Sequence, residues 1–410
     1  MQKDGIKKSI LLLALHYYDD EESMLFRICK NGVSAAHHTL LNNLIYGLKE
    51  YCDITVVSAL PVGSFPVMSS QLIIKGCIHN RNNEIGYINL PVVKDKMREM
   101  GAKRAIREWI KEQPDNSDKY ILIYDSVIPF MKAATAVCLE YPSLKSAIII
   151  PDLPGEFSIE NNSYTTVINY WLKKKADHFY KIINKIDGFI PLTRHMLDVM
   201  GLNDRPHMIM ECITSLSDKD TITAESEDKH VIMYSGELSE NVDLDVLLNA
   251  INLINNGSVE LWICGRGPME QQIKELTEIN HRIKYLGFIP KRELYNVQKE
   301  VSVFVNPRQN GHNYSKYSFP SKNAEYLITG KPVVAYKLEG IPDDYDDFIF
   351  YPDSNSAESL AKTLEKVLAL DKKELIQLGY AQKRFMDENK SAVAQAKNII
   401  SFFDSINKNI

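Results

Sequence analysis

Nothing in this chain is apolar for long enough to cross a bilayer. The apolar run nearest the start, Ile10–Leu15, is far shorter than the ~20 residues a spanning helix needs. It follows Lys7 and Lys8, but a long apolar core and a small-residue cleavage site are both missing, so it reads as a first strand and not as a secretion signal. A basic excess is missing too. Lys and Arg number 48 against 53 Asp and Glu, a net charge of -5, which gives no support to nucleic-acid binding. The six cysteines (Cys29, Cys52, Cys77, Cys138, Cys212, Cys264) form no CxxC pair, and several fall in apolar runs. Buried, reduced thiols in a reducing compartment are the expectation. Internal repeats and low-complexity tracts are absent. What remains is a soluble, cytoplasmic protein, with contact at a membrane surface still open.

What is present points to two domains. At 410 residues, 45% hydrophobic and 25% charged, the chain is too long for one ordinary core. Apolar β-rich runs alternate with helical patterns throughout, the signature of α/β folds with parallel sheets. Strands are predicted at Ser9–Leu15, Asp53–Ser58, Tyr120–Tyr124, Ala147–Ile150 and Gly188–Pro191, with helices at Ala35–Lys49, Lys94–Glu112 and Thr165–Ile186 among those between them. A polar stretch, 214–229, reads as a linker. A second series follows, with strands at Val231–Ser235, Val259–Cys264, Ile283–Leu286, Val301–Val305 and Pro332–Ala335. Its helices are expected at Asp243–Asn255, Met269–Ile279, Arg292–Lys299, Ser321–Thr329, Ala357–Leu368 and Lys373–Asn389, with a last amphipathic helix at Val393–Ile406. The expected architecture is an N-terminal domain over 1–213 and a second over 230–389, both Rossmann-like and doubly wound. The two would face a central cleft, with the helix in 390–410 packing back on the first domain.

The most informative segment runs from Lys316 through Ser321, Lys322 and Glu325 to Gly330-Lys331-Pro332. It reads as a loop turning into a helix, with Pro320 in the first turn, where its missing N–H costs nothing. Basic side chains crowd a helix start that itself attracts phosphate. Glu325 sits about a turn and a half further in, within reach of a ribose hydroxyl, and Gly330 ends the helix before a buried strand. Such a cradle suits a nucleotide-diphosphate sugar.

Taken in order, Tyr234-Ser235-Gly236, Leu261-Trp262-Ile263-Cys264-Gly265-Arg266-Gly267-Pro268, Tyr285-Leu286-Gly287-Phe288 and the FPSK…E…GKP segment resemble the nucleotide-sugar glycosyltransferases of GT-B fold, in the retaining family 4 group. The Phe-Pro-Ser-Lys form is similar to enzymes of bacterial surface-polysaccharide assembly. The first half matches more loosely, through Asn31-Gly32-Val33-Ser34 and the strand ends at Pro151-Asp152 and Pro191-Leu192-Thr193. The resemblance implies retaining transfer of a sugar to a glycan or lipid-linked acceptor, without a bound metal or other cofactor. It also implies that Glu325 binds the ribose and that Phe288 lies near the base. Three of the family's groups are missing at their usual addresses. Glu237 and Asn241 or Val242 stand where an Arg and a Lys are common, Tyr317 stands at the first of two glutamates, and Pro151 precedes Asp152 in place of His.

Arg308, Lys316 and Lys322 are expected to replace the missing cations, Arg as a bidentate phosphate ligand and Lys as a point charge. Asp152 is the candidate for acceptor contact or base work. Ser321, Tyr317, Gly265, Arg266 and Gly267 complete the donor side, and Gly32, Ser34 and His37 the acceptor side, with His37 and His38 pointing to different faces. The aspartates at 343–347 read as a solvated loop and not as a metal site. The run from Trp171 to Lys181 mixes aromatic and basic residues and could touch anionic lipid. Two other readings stand beside transfer: a catalytically silent partner subunit on the same fold, and a nucleotide-sugar 2-epimerase.

Overall fold

The computed structural model describes residues 8–30, 35–79, 81–153, 176–214, 230–311 and 315–408. They divide into two compact units, Met1–Ile213 together with Ala392–Ile410, and Thr214–Ser391. The region read as a linker falls almost wholly outside the described residues.

In the first unit the strands are β1 (Lys8–Leu15), β2 (Asp53–Ala59), β3 (Ile73–Ile74), β4 (Cys77–His79), β5 (Asn82–Glu84), β6 (Tyr87–Ile88), β7 (Asp118–Tyr124), β8 (Lys145–Ile150) and β9 (Gly188–Pro191). Seven of them form one sheet in the order β4-β5-β2-β1-β7-β8-β9, and β3 pairs with β6 separately. From β5 to β9 neighbours run parallel, while β4 is an antiparallel edge. Ile10 to Ala14 are wholly buried, as strands covered on both faces must be, which is why β1 reads as an unbroken apolar run. One face is covered by the Ala35–Lys49 and Ala392–Lys408 helices, which pack on each other. Phe403 stacks on Tyr120 with ring centroids 4.4 Å apart, and Lys8 Nζ meets Asp404 Oδ1 at 2.5 Å.

The second unit holds β10 (His230–Glu237), β11 (Val259–Arg266), β12 (Ile283–Tyr285), β13 (Val303–Asn306), β14 (Val333–Ala335) and β15 (Ile349–Phe350), in the order β12-β11-β10-β13-β14-β15 and all parallel. Its core joins β10, β11 and β13 to the Leu244–Leu253 and Ala357–Leu368 helices. In each unit the strand order reverses once, between β1 and β7 and between β10 and β13. The carboxyl ends beside such a reversal are where doubly wound sheets hold ligands.

The structure departs from the sequence reading in several places. The short strands β3 to β6 carry no long apolar signal and were not anticipated. The Ser321–Leu327 helix is two residues shorter than expected, and Pro320 caps it from outside instead of occupying its first turn. Cys77 is exposed, not buried, whereas Cys29, Cys212 and Cys264 are buried. Of the aspartates at 343–347, Asp343 and Asp346 pair with Lys337, and Asp344 meets Lys390 Nζ at 2.9 Å, so part of the run is ion-paired.

Candidate functional site

In the second unit the sequence-predicted donor residues gather near the switch point. The Ser321–Leu327 helix is tied to the end of β10 by the buried Tyr326, whose hydroxyl accepts from Ser235 N at 3.0 Å and donates to Ser235 O at 3.1 Å. Tyr326 also stacks on Phe304 of β13, centroids 4.5 Å apart. One residue earlier, Glu325 Oε2 accepts from Lys322 Nζ at 2.7 Å. Burial raises the Cys264 thiol at the end of β11, a backbone hydrogen bond at Ile289 opposes this, and the Lys322 charge opposes it further. Arg308 Nη2 donates to Ser318 Oγ at 2.8 Å. Arg308 likewise opposes the upward push that burial gives the Tyr234 phenol on β10. Lys316 Nζ lies 5.0 Å from the Tyr317 ring centre, in a single 3-10 turn over Ser315–Tyr317. A helix of seven residues offers little dipole, so fixed cations are left as the main source of positive charge here.

The glycines of the second landmark are explained by the chain itself. Gly265 has φ +148, and a Cβ there would meet Gly236 O at 1.8 Å. A Cβ on Gly267 would meet Leu238 O at 2.2 Å. These residues let the loops after β10 and β11 lie against each other, an arrangement closed by Leu238 N donating to Arg266 O at 2.9 Å. Gly265 N donates to Gly287 O at 2.9 Å, joining the third landmark to the second. Arg266 lies over the exposed Phe288 ring, 4.5 Å from its centre, a cation–π contact that presents a flat face.

Asp243 is a residue the sequence reading passed over. Its φ is +54, and its Oδ2 accepts from Gln309 N at 2.8 Å, fastening the loop after β13 to the start of the Leu244–Leu253 helix. The only sequence signal was a carboxylate ahead of a helix, which is too common to single out.

In the first unit, His37 Nε2 lies 3.4 Å from Asp152 Oδ2 beyond the end of β8. His38 turns away, stacked on Tyr17 at 3.8 Å, with its Nε2 accepting from Asn42 at 3.0 Å or donating to Asp19 at 3.4 Å, according to tautomer. The adjacent histidines therefore do face different ways. Hydrogen bonding to Asp152 raises the His37 pKa, burial opposes this, and Asp125 adds to the rise. The favourable pairing is then fully present below the ordinary imidazole value of ~6.5 and is lost as pH rises through the higher folded value. Proton NMR should place the His37 midpoint above that ordinary value, and Asp152→Asn should lower it; an unchanged midpoint would show that the two do not interact. Gly32 and Ser34 lie outside the described residues, as does Trp171 to Lys175. Phe179, further along that run, is buried in the core.

Residues 217–384 match the family described as Glycosyl transferases group 1, a span shorter than half of the chain. No curated protein matches. Among solved structures, sucrose-phosphate synthase from Thermosynechococcus elongatus is similar at 12% identity and a TM-score of 0.59, covering 98% of this chain and 100% of that one. The lipopolysaccharide outer core galactosyltransferase WaaB, in its apo form, aligns at 12% identity and a TM-score of 0.62, covering 97% and 99%. The fold is GT-B. A third GT-B structure, a trehalose-6-phosphate protein from E. coli bound with UDP-2-fluoro glucose, aligns at 11% identity and a TM-score of 0.59 over 97% and 99%. In GT-B terms, the Arg308–Glu325 segment lies inside the matched region of the second unit.

Proposed function

We propose that this protein is a glycosyltransferase using a nucleotide-diphosphate sugar, of the retaining family 4 kind, acting on a glycan or lipid-linked acceptor in bacterial surface-polysaccharide assembly. The observation that carries the reading is the combination of Arg308, Lys322 and Glu325 on one segment beside the switch point of a GT-B unit. As the glycosidic bond to the donor breaks, negative charge grows on the departing diphosphate, and preorganised cations stabilise it. Arg308, Lys316 and Lys322 supply that charge, so no metal is required in this scheme. Glu325 gives one carboxylate oxygen to Lys322 and offers the other to ribose hydroxyls. Asp152 and its partner His37 serve the acceptor side, where an ionisable pair can orient a hydroxyl or take its proton. Attack from the same face as the departing phosphate, which itself assists, accounts for retention without a carboxylate nucleophile.

Among the described residues no helix is long and apolar enough to cross a membrane. Work on a lipid-linked acceptor would then occur at a membrane surface and not within it.

Thermal stability in the presence of UDP-, GDP-, ADP- and dTDP-sugars tests the proposal. A ligand at 100 times its Kd stabilises the native state by about 2.7 kcal/mol. One nucleotide class is expected to raise Tm, and Glu325→Ala should abolish the rise. If well-folded protein responds to none of them, the silent-subunit reading takes over.

A further inference from the structure

A second cluster of chemistry-bearing side chains lies in the first unit and uses none of the residues assigned a role above. Strand β4 is the edge of the sheet and pairs antiparallel with β5 in the register Cys77↔Glu84, Ile78↔Asn83, His79↔Asn82. Side chains two apart on a strand share a face, and directly opposed residues share it too. Cys77, His79 and Glu84 therefore stand together on one side of the hairpin. Glu21, from the 3-10 turn Asp19–Glu21 that follows β1, joins them. One donor atom from each of the four lies within 4.8 Å of every other. Cys77 Sγ and His79 Nε2 are 2.8 Å apart.

Glu84 is 4% exposed, and its Oε2 makes no hydrogen bond although it is buried. The charges acting on it most strongly, Glu21 and Asp20, are of its own sign. Glu84 interacts within the cluster through Glu21 and Cys77, yet its buried Oε2 is left over, facing a thiol, an imidazole and a second carboxylate, a set that a cation would complete.

We propose that Glu21, Cys77, His79 and Glu84 form a binding site for a divalent transition ion of the zinc type. One sulfur, one nitrogen and two carboxylate oxygens match the donors and the coordination number of four that Zn²⁺ takes, and the thiolate and imidazole argue against Mg²⁺ or Ca²⁺. Cys77 would bind as thiolate, its proton passing to solvent.

The shell around the four donors is already organised. Glu21 Oε2 accepts from Tyr18 N at 2.8 Å, and the Tyr18 ring packs on His79 with centroids 4.3 Å apart. The Tyr18 hydroxyl accepts from Asn82 Nδ2 at 2.9 Å, and Asn82 Oδ1 accepts from Val56 N of β2 at 2.9 Å. Supporting contacts of this kind hold metal ligands in position. Cys77 is exposed and gives the ion a way in. A bound ion would clamp the hairpin at the sheet edge to the turn after β1, which is a structural role independent of sugar transfer.

The test is a Co²⁺ titration of the metal-stripped full chain under reducing conditions, followed by Zn²⁺ competition. One equivalent of Co²⁺ should produce a thiolate-to-cobalt charge-transfer band with the visible absorption of a tetrahedral site, and Zn²⁺ should remove both. Cys77→Ser, at an exposed position that leaves the apo fold intact, should eliminate the charge-transfer band. His79→Ala and Glu84→Gln should each weaken Co²⁺ binding by at least the roughly 100-fold that losing a supporting group can cost. No charge-transfer band in the parent protein would overturn the proposal, as would a band that survives Cys77→Ser. Should Glu84→Gln fail to fold, the Cys77→Ser and His79→Ala results decide.

Discussion

Gly265→Ala should unfold the second unit or leave it too unstable to isolate. The added methyl group would lie 1.8 Å from Gly236 O, a backbone atom in a paired strand, at a φ of +148 that side chains avoid. Neither strand can shift without breaking the β10–β11 register, in which Gly236 faces Gly265 and Glu237 faces Arg266. A loss above ~4 kcal/mol is expected, in the range that marks a severe steric fault. Gly287→Ala is the control. It also has positive φ, +71, but nothing within 4 Å of a new Cβ, so only the ~1–2 kcal/mol of left-handed strain applies. Urea denaturation of both variants separates the two causes. If Gly265→Ala proves no worse than Gly287→Ala, the close approach of the two loops is wrong.

The second large effect concerns chemistry. Arg308→Ala should lower kcat/KM for the donor by ~10²–10³, about 2.7–4 kcal/mol of transition-state stabilisation, with most of the loss in kcat. The reasoning is that the charge on the diphosphate grows as the bond breaks, so a cation matters more at the transition state than in the bound ground state. Arg308→Lys should recover only part, since an ammonium lacks the planar fork. Steady-state kinetics with the donor found by thermal shift, on protein with an unchanged melting curve, checks this. A change in KM alone would reduce Arg308 to a donor-binding residue.

The strands that carry the two sheets were legible because burial on both faces forces continuous apolar runs, as at Ile10–Leu15 and Val231–Ser235. Hairpin β4–β5 was not, because Cys-Ile-His and Asn-Asn-Glu alternate without a core to mark the face. At the candidate site, Lys322 and Glu325 could be placed from spacing along a helix. Their pairing at i,i+3 is local to the helix, whereas the tie from Tyr326 to Ser235, ninety-one residues away, depends on tertiary packing. His37 and Asp152 likewise meet only because the Ala35–Lys49 helix starts beside the end of β8. The glycine-flanked Arg266 was readable as a turn, but the close backbone approach that requires its glycines, to Gly236 O and Leu238 O, appears only in the fold.

The split composition of the first unit bears on how the chain is made. Ala396, Ile399 and Phe403 belong to the same core as Leu12, Leu44 and Leu122, but the ribosome delivers them only after all of Thr214–Ser391. At about 5–20 residues per second, that delay is on the order of ten seconds or more. Throughout it, the sheet face that Phe402 and Phe403 will cover stays exposed, so the first unit synthesised is the last to be finished. Until the Ala392–Lys408 helix emerges, the nascent first unit keeps that apolar face open to solvent.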